Sequence, residues 1–360
     1  SKRPSYRTPL SQLSATAPED DGPVQWELFK KHHAKGSWKG VWTSFDYIGD
    51  VIDETVASVD LDYDAPTESI QQTHRLAMGA TVADCSTCFD SMEFKSFPVQ
   101  RYMPTQLHKT RLGSIGMING PSLLRSGAMA TELVLALPES LEGERRRVRV
   151  AFQHAPVWRA GVEPGSGPPD GLKLFRTMVS RESLGDVPPT RETETNAKIK
   201  LYRGVPPFRW HAEWAGTSWT WGPTTGNRGW SLDKMDEADA WHGRPTGDSP
   251  NVWNLRLPGG ILLQAPRIIN GGETSLFRLA WLPTEECLLR MEAGVLAFQP
   301  VEDQGNDVVA FYPPSLASMR CDILQKVGEL EEQEERLRQL AGESDVLKPR
   351  SDEELSNVMP

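Results

Sequence analysis

Apolar and polar residues alternate with a period of two along most of this chain. In Gly36-Ser37-Trp38-Lys39-Gly40-Val41-Trp42-Thr43-Ser44-Phe45 the pattern puts Trp38, Gly40, Trp42 and Ser44 on one face, which predicts a strand with a large aromatic at its base. Further short strands are predicted at Val56 to Tyr63, Ser69 to Leu76, Met92 to Phe97, Leu107 to Ile118, Ser122 to Arg125, Ala128 to Leu137, Arg145 to Gln153 and Leu172 to Ser183. Turn residues such as those of Pro138 to Gly143 separate them. So many short antiparallel strands predict a meander that closes on itself, because closure removes exposed edges. Two stretches depart from this period. Trp26, Phe29 and Lys30 within Val24 to Lys35 fit a short lid helix stopped by Gly36. Beyond Pro313-Pro314, the residues Leu316, Met319, Ile323, Val327, Leu330, Leu337 and Leu340 recur at threes and fours, which predicts an amphipathic helix over 315–341.

The apolar pattern repeats. At an offset of 145, Arg111-Leu112 meets Arg256-Leu257, Pro121 meets Pro266, Gly127 meets Gly272, Leu137-Pro138 meets Leu282-Pro283, Arg145 meets Arg290 and Val150 meets Val295. Trp214-Ala215-Gly216 likewise echoes Trp38-Lys39-Gly40. Together these predict an all-β chain of two consecutive antiparallel barrels followed by a helix. The expected divisions are an extended tail (1–23), a first barrel (24–184), a linker around Pro188-Pro189 (185–196), a second barrel (197–312), and a C-terminal helix and tail (313–360).

Composition narrows the function more than the fold. A chain of 360 residues fits two domains with tails, and 28 Pro with 30 Gly agree with a loop-rich β fold. The net charge of -10 argues against a nucleic-acid backbone as partner. No apolar run reaches the ~20 residues that span a bilayer, so membrane association would be peripheral. Four cysteines are too few for a disulfide scaffold in a chain this size. The opening Ser1-Lys2-Arg3-Pro4 lacks an initiator Met, as it would after removal of a targeting peptide or a tag.

Candidate chemistry is sparse. Cys85-Ser86-Thr87-Cys88 has the spacing of redox and zinc sites but no second ligand pair, and His32-His33 on the lid helix point to different faces. Arg145, Arg147 and Arg149 alternate along one face of a strand; Arg147 is a candidate to hold a ligand headgroup, and Arg145 to stack on Trp38, as Arg290 would on Trp214. Tryptophan is dense in the second half, at Trp210, Trp214, Trp219, Trp221, Trp230, Trp241, Trp253 and Trp281, and Trp253 and Trp281 are candidates to line an aromatic pocket. No phosphate loop, nucleophile elbow or zincin signature marks an enzyme, no catalytic residue is assigned, and no metal site is expected.

Gly36-Ser37-Trp38 after a short helix resembles the Gly-x-Trp that opens a lipocalin barrel. The longer pattern from Phe29 through Gly40-Val41-Trp42, Glu132 and Arg145-Arg146-Arg147 to Leu257-Pro258-Gly259-Gly260-Ile261, Trp281-Leu282 and Arg290 resembles a cyanobacterial and plastid family of two tandem lipocalin-like (calycin) domains, akin to lipocalins and to phycobiliprotein bilin lyases. Glu213-Trp214-Ala215-Gly216 departs from the Gly-x-Trp pattern. The resemblance implies a plastid protein in which Trp38, Arg145, Trp214 and Arg290 close the barrels. It also implies a lipophilic ligand such as a tetrapyrrole, carotenoid or fatty acid. Two other readings are an accessory subunit that docks a larger, photosynthetic assembly through its N-terminal tail and C-terminal helix, and a pigment lyase or isomerase.

Overall fold

The computed structural model describes residues 22–34, 36–77, 93–124, 126–138, 145–158, 160–161, 169–185, 212–221, 231–234, 251–296, 299–300, 311–312 and 314–329. Helix α1 (Gly22–Leu28) runs into a π turn (Phe29–His33). Strands β1 (Gly36–Asp46), β2 (Val51–Asp64), β3 (Ser69–Ala77) and β4 (Phe94–Tyr102) follow, then a 3-10 segment (Pro104–Lys109). Next come β5 (Thr110–Leu112), β6 (Gly116–Leu123), β7 (Met129–Ala136), β8 (Arg146–Val157) and β9 (Gly171–Leu184). The later strands are β10 (Ala212–Trp221), β11 (Ser231–Lys234), β12 (Val252–Leu257), β13 (Ile261–Pro266), β14 (Ile268–Asn270), β15 (Thr274–Thr284), β16 (Cys287–Leu296), β17 (Gln299–Pro300), β18 (Phe311–Tyr312) and β19 (Ser315–Glu329). The first sheet runs β4-β3-β2-β1-β9-β8-β7-β6-β5, with β14 added to β9; the second runs β11-β10-β19-β16-β15-β13-β12; β17 and β18 pair with each other.

The two sheets meet through a shared apolar core. Leu133 and Leu135 of β7 and Val148, Val150 and Phe152 of β8 belong to the same buried cluster as Phe277, Leu279, Leu289 and Met291 of the second sheet. Phe152 lies 5.4 Å from Phe277 and stands edge-on to Trp253 at 6.5 Å between ring centroids. Burying each such side chain contributes about 1.5–3 kcal/mol, so this layer holds the two sheets together.

Two closed lipocalin-like barrels and a C-terminal helix are not what the chain forms. Among the described residues each sheet ends on two strands not paired to one another, β4 and β5 in the first and β11 and β12 in the second, and the first sheet is an open, partly curled half-barrel. The reason lies at the β5 edge. The carboxamide of Gln25 on α1 accepts from the Leu112 backbone N–H at 2.8 Å and donates to the Leu112 carbonyl at 3.4 Å, taking the groups that a closing strand needs. His33 takes the neighbouring Gly113 carbonyl at 2.9 Å. On the opposite edge, Pro98 of β4 has no N–H to give. The resemblance to a tandem calycin family falls with closure.

The expected helix over 315–341 is replaced, as far as the described residues extend, by strand β19 between β10 and β16. Met319 and Cys321 bury toward the first sheet, while Asp322 and Leu324 are buried as well, so both faces of the strand are covered. A strand buried on both faces carries apolar residues at even and odd positions. Here that spacing imitates a helical stripe.

The Trp-x-Gly echo has a structural counterpart. A β-carbon on Gly40 would overlap the Arg181 carbonyl oxygen, and one on Gly216 would overlap that of Ile323, so each glycine admits a close crossing of the next strand. Trp38 and Trp214, two residues before them, are each 0% exposed. Replacing Gln25 with Leu leaves two backbone groups of Leu112 unpaired, and the variant is expected to lose about 1–3 kcal/mol in urea unfolding. An unchanged midpoint would show that the α1 seal does not hold the edge.

Candidate functional site

The first sheet curls away from the second, and its concave face is the candidate site. Ile70 and Tyr102, at the β3–β4 end, share a cluster with Leu112 and Met117 at the β5–β6 end, which requires the two ends of the sheet to bend toward each other. Trp26 and Phe29, from α1 and the π turn, pack into the same cluster beside Trp38, so one end of the half-barrel is plugged by the chain itself. Phe29 lies 4.6 Å from Tyr102.

Above this plug lies a buried ionic network. Glu182 of β9 receives Arg147 Nε on one oxygen at 2.5 Å, and Arg149 Nη2 and Trp42 Nε1 on the other, each at 3.0 Å. Arg149 Nη1 reaches Glu132 at 3.0 Å, and Glu132 in turn accepts from Asn119 at 3.3 Å. Burial alone would raise the Glu182 carboxyl, but the guanidinium groups of Arg147 and Arg149 outweigh it and hold the group below its usual range. On the β3 side, Tyr102 donates to Gln72 at 2.6 Å, and Gln72 contacts the His74 ring at 2.6 Å. His74 stands edge-on to Trp42 at 4.8 Å between ring centroids. Burial lowers its pKa to about 3, so it is neutral at physiological pH.

Beyond the network the face opens. Leu76 and Met178 are half-buried against the cluster that holds Trp42, half-buried Ala151 is the cross-strand partner of Met178, and Ser44 and Arg176 follow toward the far end of β1 and β9. The result is a groove with an apolar and aromatic wall beside a floor of polar groups that largely bond one another, Arg149 Nε and Ser180 Oγ excepted.

The residues singled out in the sequence lie in three places. Arg147 is in the network, with its guanidinium 4.1 Å from the Trp38 ring, and Arg145 lies 5.9 Å from the same ring while donating to the His32 carbonyl at 2.9 Å. Trp253 and Trp281 are buried in the core between the sheets, away from the groove. Trp214 and Arg290 belong to the second sheet's outer face, where Arg290 donates to Asp322 at 2.6 Å. Cys85, Cys88, Trp210, Trp230 and Trp241 lie outside the described residues. Glu182, His74, Arg176 and Met178 were not singled out from sequence. The alternating arginines were the available signal for Glu182, because arginines buried on a strand call for carboxylates on the strands beside it.

No protein-family profile and no curated protein sequence significantly matches the chain. Among solved structures it is similar to a protein of unknown function from the DUF3598 family of Nostoc punctiforme, at 14% identity and a TM-score of 0.49 over 84% of this chain and 99% of that one. It is also similar to the S-type phycobiliprotein lyase CPES of Guillardia theta, at 9% identity and a TM-score of 0.12 over 88% of this chain and 99% of that one. Likenesses this slight carry no functional argument, and the kinship to bilin lyases is not sustained.

Removing one member of the network should cost more than removing a pair. In cross-strand register, Gly40, Glu182 and Arg147 form one row, and Gly216, Leu324 and Leu288 form the corresponding row of the second sheet. Glu182→Leu strands buried arginines and is expected to cost about 3–5 kcal/mol in urea unfolding, whereas Glu182→Leu with Arg147→Leu, which copies the other row, should recover much of that loss. Equal losses in the single and double variants would contradict the ion-pair account.

Acid should also weaken the fold. Burial lowers the pKa of His33 and His154 to about 4, although each rings to a carbonyl that opposes the shift, and lowers that of His74 to about 3. Each folded value lies below the unfolded one, so the unfolded chain takes up protons first as pH falls. The stability is fully present above about 6.5 and is lost toward about 4. His154→Gln should take up about one proton fewer on unfolding in that window, read as a shallower fall of stability with pH. An unaltered slope would contradict it.

Proposed function

We propose that this chain is a non-catalytic binding protein whose concave groove holds a lipophilic small molecule. The observation that carries this reading is the division of one concave face into two parts. The plugged end is filled by Trp26, Phe29, Trp38 and Tyr102, while the other end leaves Leu76 and Met178 half-buried near Trp42, with half-buried Ala151 across from Met178. A concave, mainly apolar wall with a few fixed polar groups is the usual form of a small-molecule site. The reading places the ligand in the first sheet, beside Trp42. Trp253 and Trp281 serve packing instead, because both are at most 6% exposed within the inter-sheet core.

An accessory role draws support from a different feature. The β1–β2 turn presents Tyr47, Ile48, Val51 and Ile52 at 46–58% exposed, an apolar cluster of the kind that docks partners. The two readings separate by variant: groove substitutions affect only the first, and turn substitutions only the second.

Organic extraction of the purified protein, followed by mass spectrometry and by titration with an apolar fluorophore, tests the groove. Met178→Glu puts a charge on its wall and is expected to weaken fluorophore binding about tenfold or more, and Trp42→Phe should remove most of the ligand-dependent quenching of tryptophan fluorescence. Binding that is indifferent to both substitutions would overturn the proposal.

A further inference from the structure

Resting on that reading of the groove, we propose that its ligand is an amphipathic anion and that Arg176 anchors the head, a carboxylate or phosphate monoester. Of the other arginines of this face, Arg145 lies at the plugged end over Trp38, bonded to the His32 carbonyl, and the two beside Trp42 already have internal counter-charges. Arg147 is paired with Glu182, and Arg149 lies between Glu182 and Glu132. The arginine strip therefore has little charge left to offer a ligand, although it is the feature that stands out in the sequence.

Arg176 differs from them. It lies two residues before Met178 on the groove face of β9, and its Nε and Nη2 converge on Ser44 Oγ at 3.2 and 2.7 Å. Ser44 is a neutral acceptor. It fixes the guanidinium without discharging it, and no carboxylate among the described residues forms an ion pair with Arg176. Asp46 and Gln153 are its cross-strand neighbours. Asp46 Oδ1 instead accepts from the backbone N–H groups of Ile48, Gly49 and Asp50 at 2.8, 2.8 and 2.9 Å, so it is committed to its own turn.

A half-buried guanidinium held by one hydroxyl keeps donors for an anionic oxygen, which it binds by charge-assisted hydrogen bonds. The apolar wall around Trp42, Leu76 and Met178 begins one cross-strand row away, at Ser44 and Met178. An anion at Arg176 would thus direct an apolar tail along the groove toward Trp42. A head at Arg176 and a tail over Met178 define the class of molecule without requiring the buried network to open.

The test is calorimetric titration of the full chain with oleate, oleyl phosphate and methyl oleate, with Arg176→Gln and Arg176→Lys as variants. One or both anions should bind about tenfold or more tightly than the ester, and the tighter of them identifies the head. Arg176→Gln should remove that preference while leaving ester affinity unchanged, and Arg176→Lys should restore part of it. Equal binding of acid and ester by the native chain would overturn the headgroup assignment and leave the groove standing. Equal weakening of all three probes by Arg176→Gln would do the same, by showing a structural role only. If none of the three binds, the groove reading falls, and this inference with it.

Discussion

The concave face of the first sheet depends on one buried carboxylate. Glu182 is 2% exposed and faces two arginines, and it carries the Trp42 indole N–H as well. Without it, Arg147 and Arg149 would be costly to bury beside the α1 plug. With it, the charge of Arg147 and Arg149 is balanced, and Trp42 is held by its indole N–H with its ring edge-on to His74. The groove wall and its floor are consequences of the same interaction.

The second sheet solves the equivalent problem differently. Trp42, Ser180 and Arg149 stand in one cross-strand row, and Ser218, Asp322 and Arg290 stand in its counterpart. In the first sheet the acid sits one row below Arg149, while in the second it sits level with Arg290 and also accepts from Ser218 at 2.5 Å. The position of Glu182 is occupied there by Leu324, which is buried with Trp214 and Leu288. Related backbone rows have been filled once with charge and once with aliphatic carbon.

Period-two alternation made the strand-rich nature of the chain legible, and the spans of β3, β7 and β9 fall close to where the pattern puts them. Closure was not legible, because it turns on Gln25, a polar helix residue whose carboxamide finds the β5 edge 87 positions away. The 145-residue offset was misleading in detail. Leu137 points into the inter-sheet core and Leu282 into the opposite face of its own sheet, so that identity joins residues in unlike environments. Counted from Trp38 and Trp214, Arg290 corresponds to Arg149 rather than to Arg145. Of the site, the arginines and Trp42 were visible as a pattern. Their partners were not, since which carboxylate faces a strand depends on its neighbours, and β9 is separated from β8 along the chain.

The account places ligand binding on the curled face of one sheet and assigns the aromatic-rich interface between the sheets to packing. Crystals grown with a bromine-labelled long-chain carboxylate separate these directly. The account predicts an anomalous bromine peak along the groove beside Trp42 and Met178, with the head at Arg176. A peak between the sheets near Trp253 and Phe277, or density confined to the Tyr47–Ile52 turn, would contradict it.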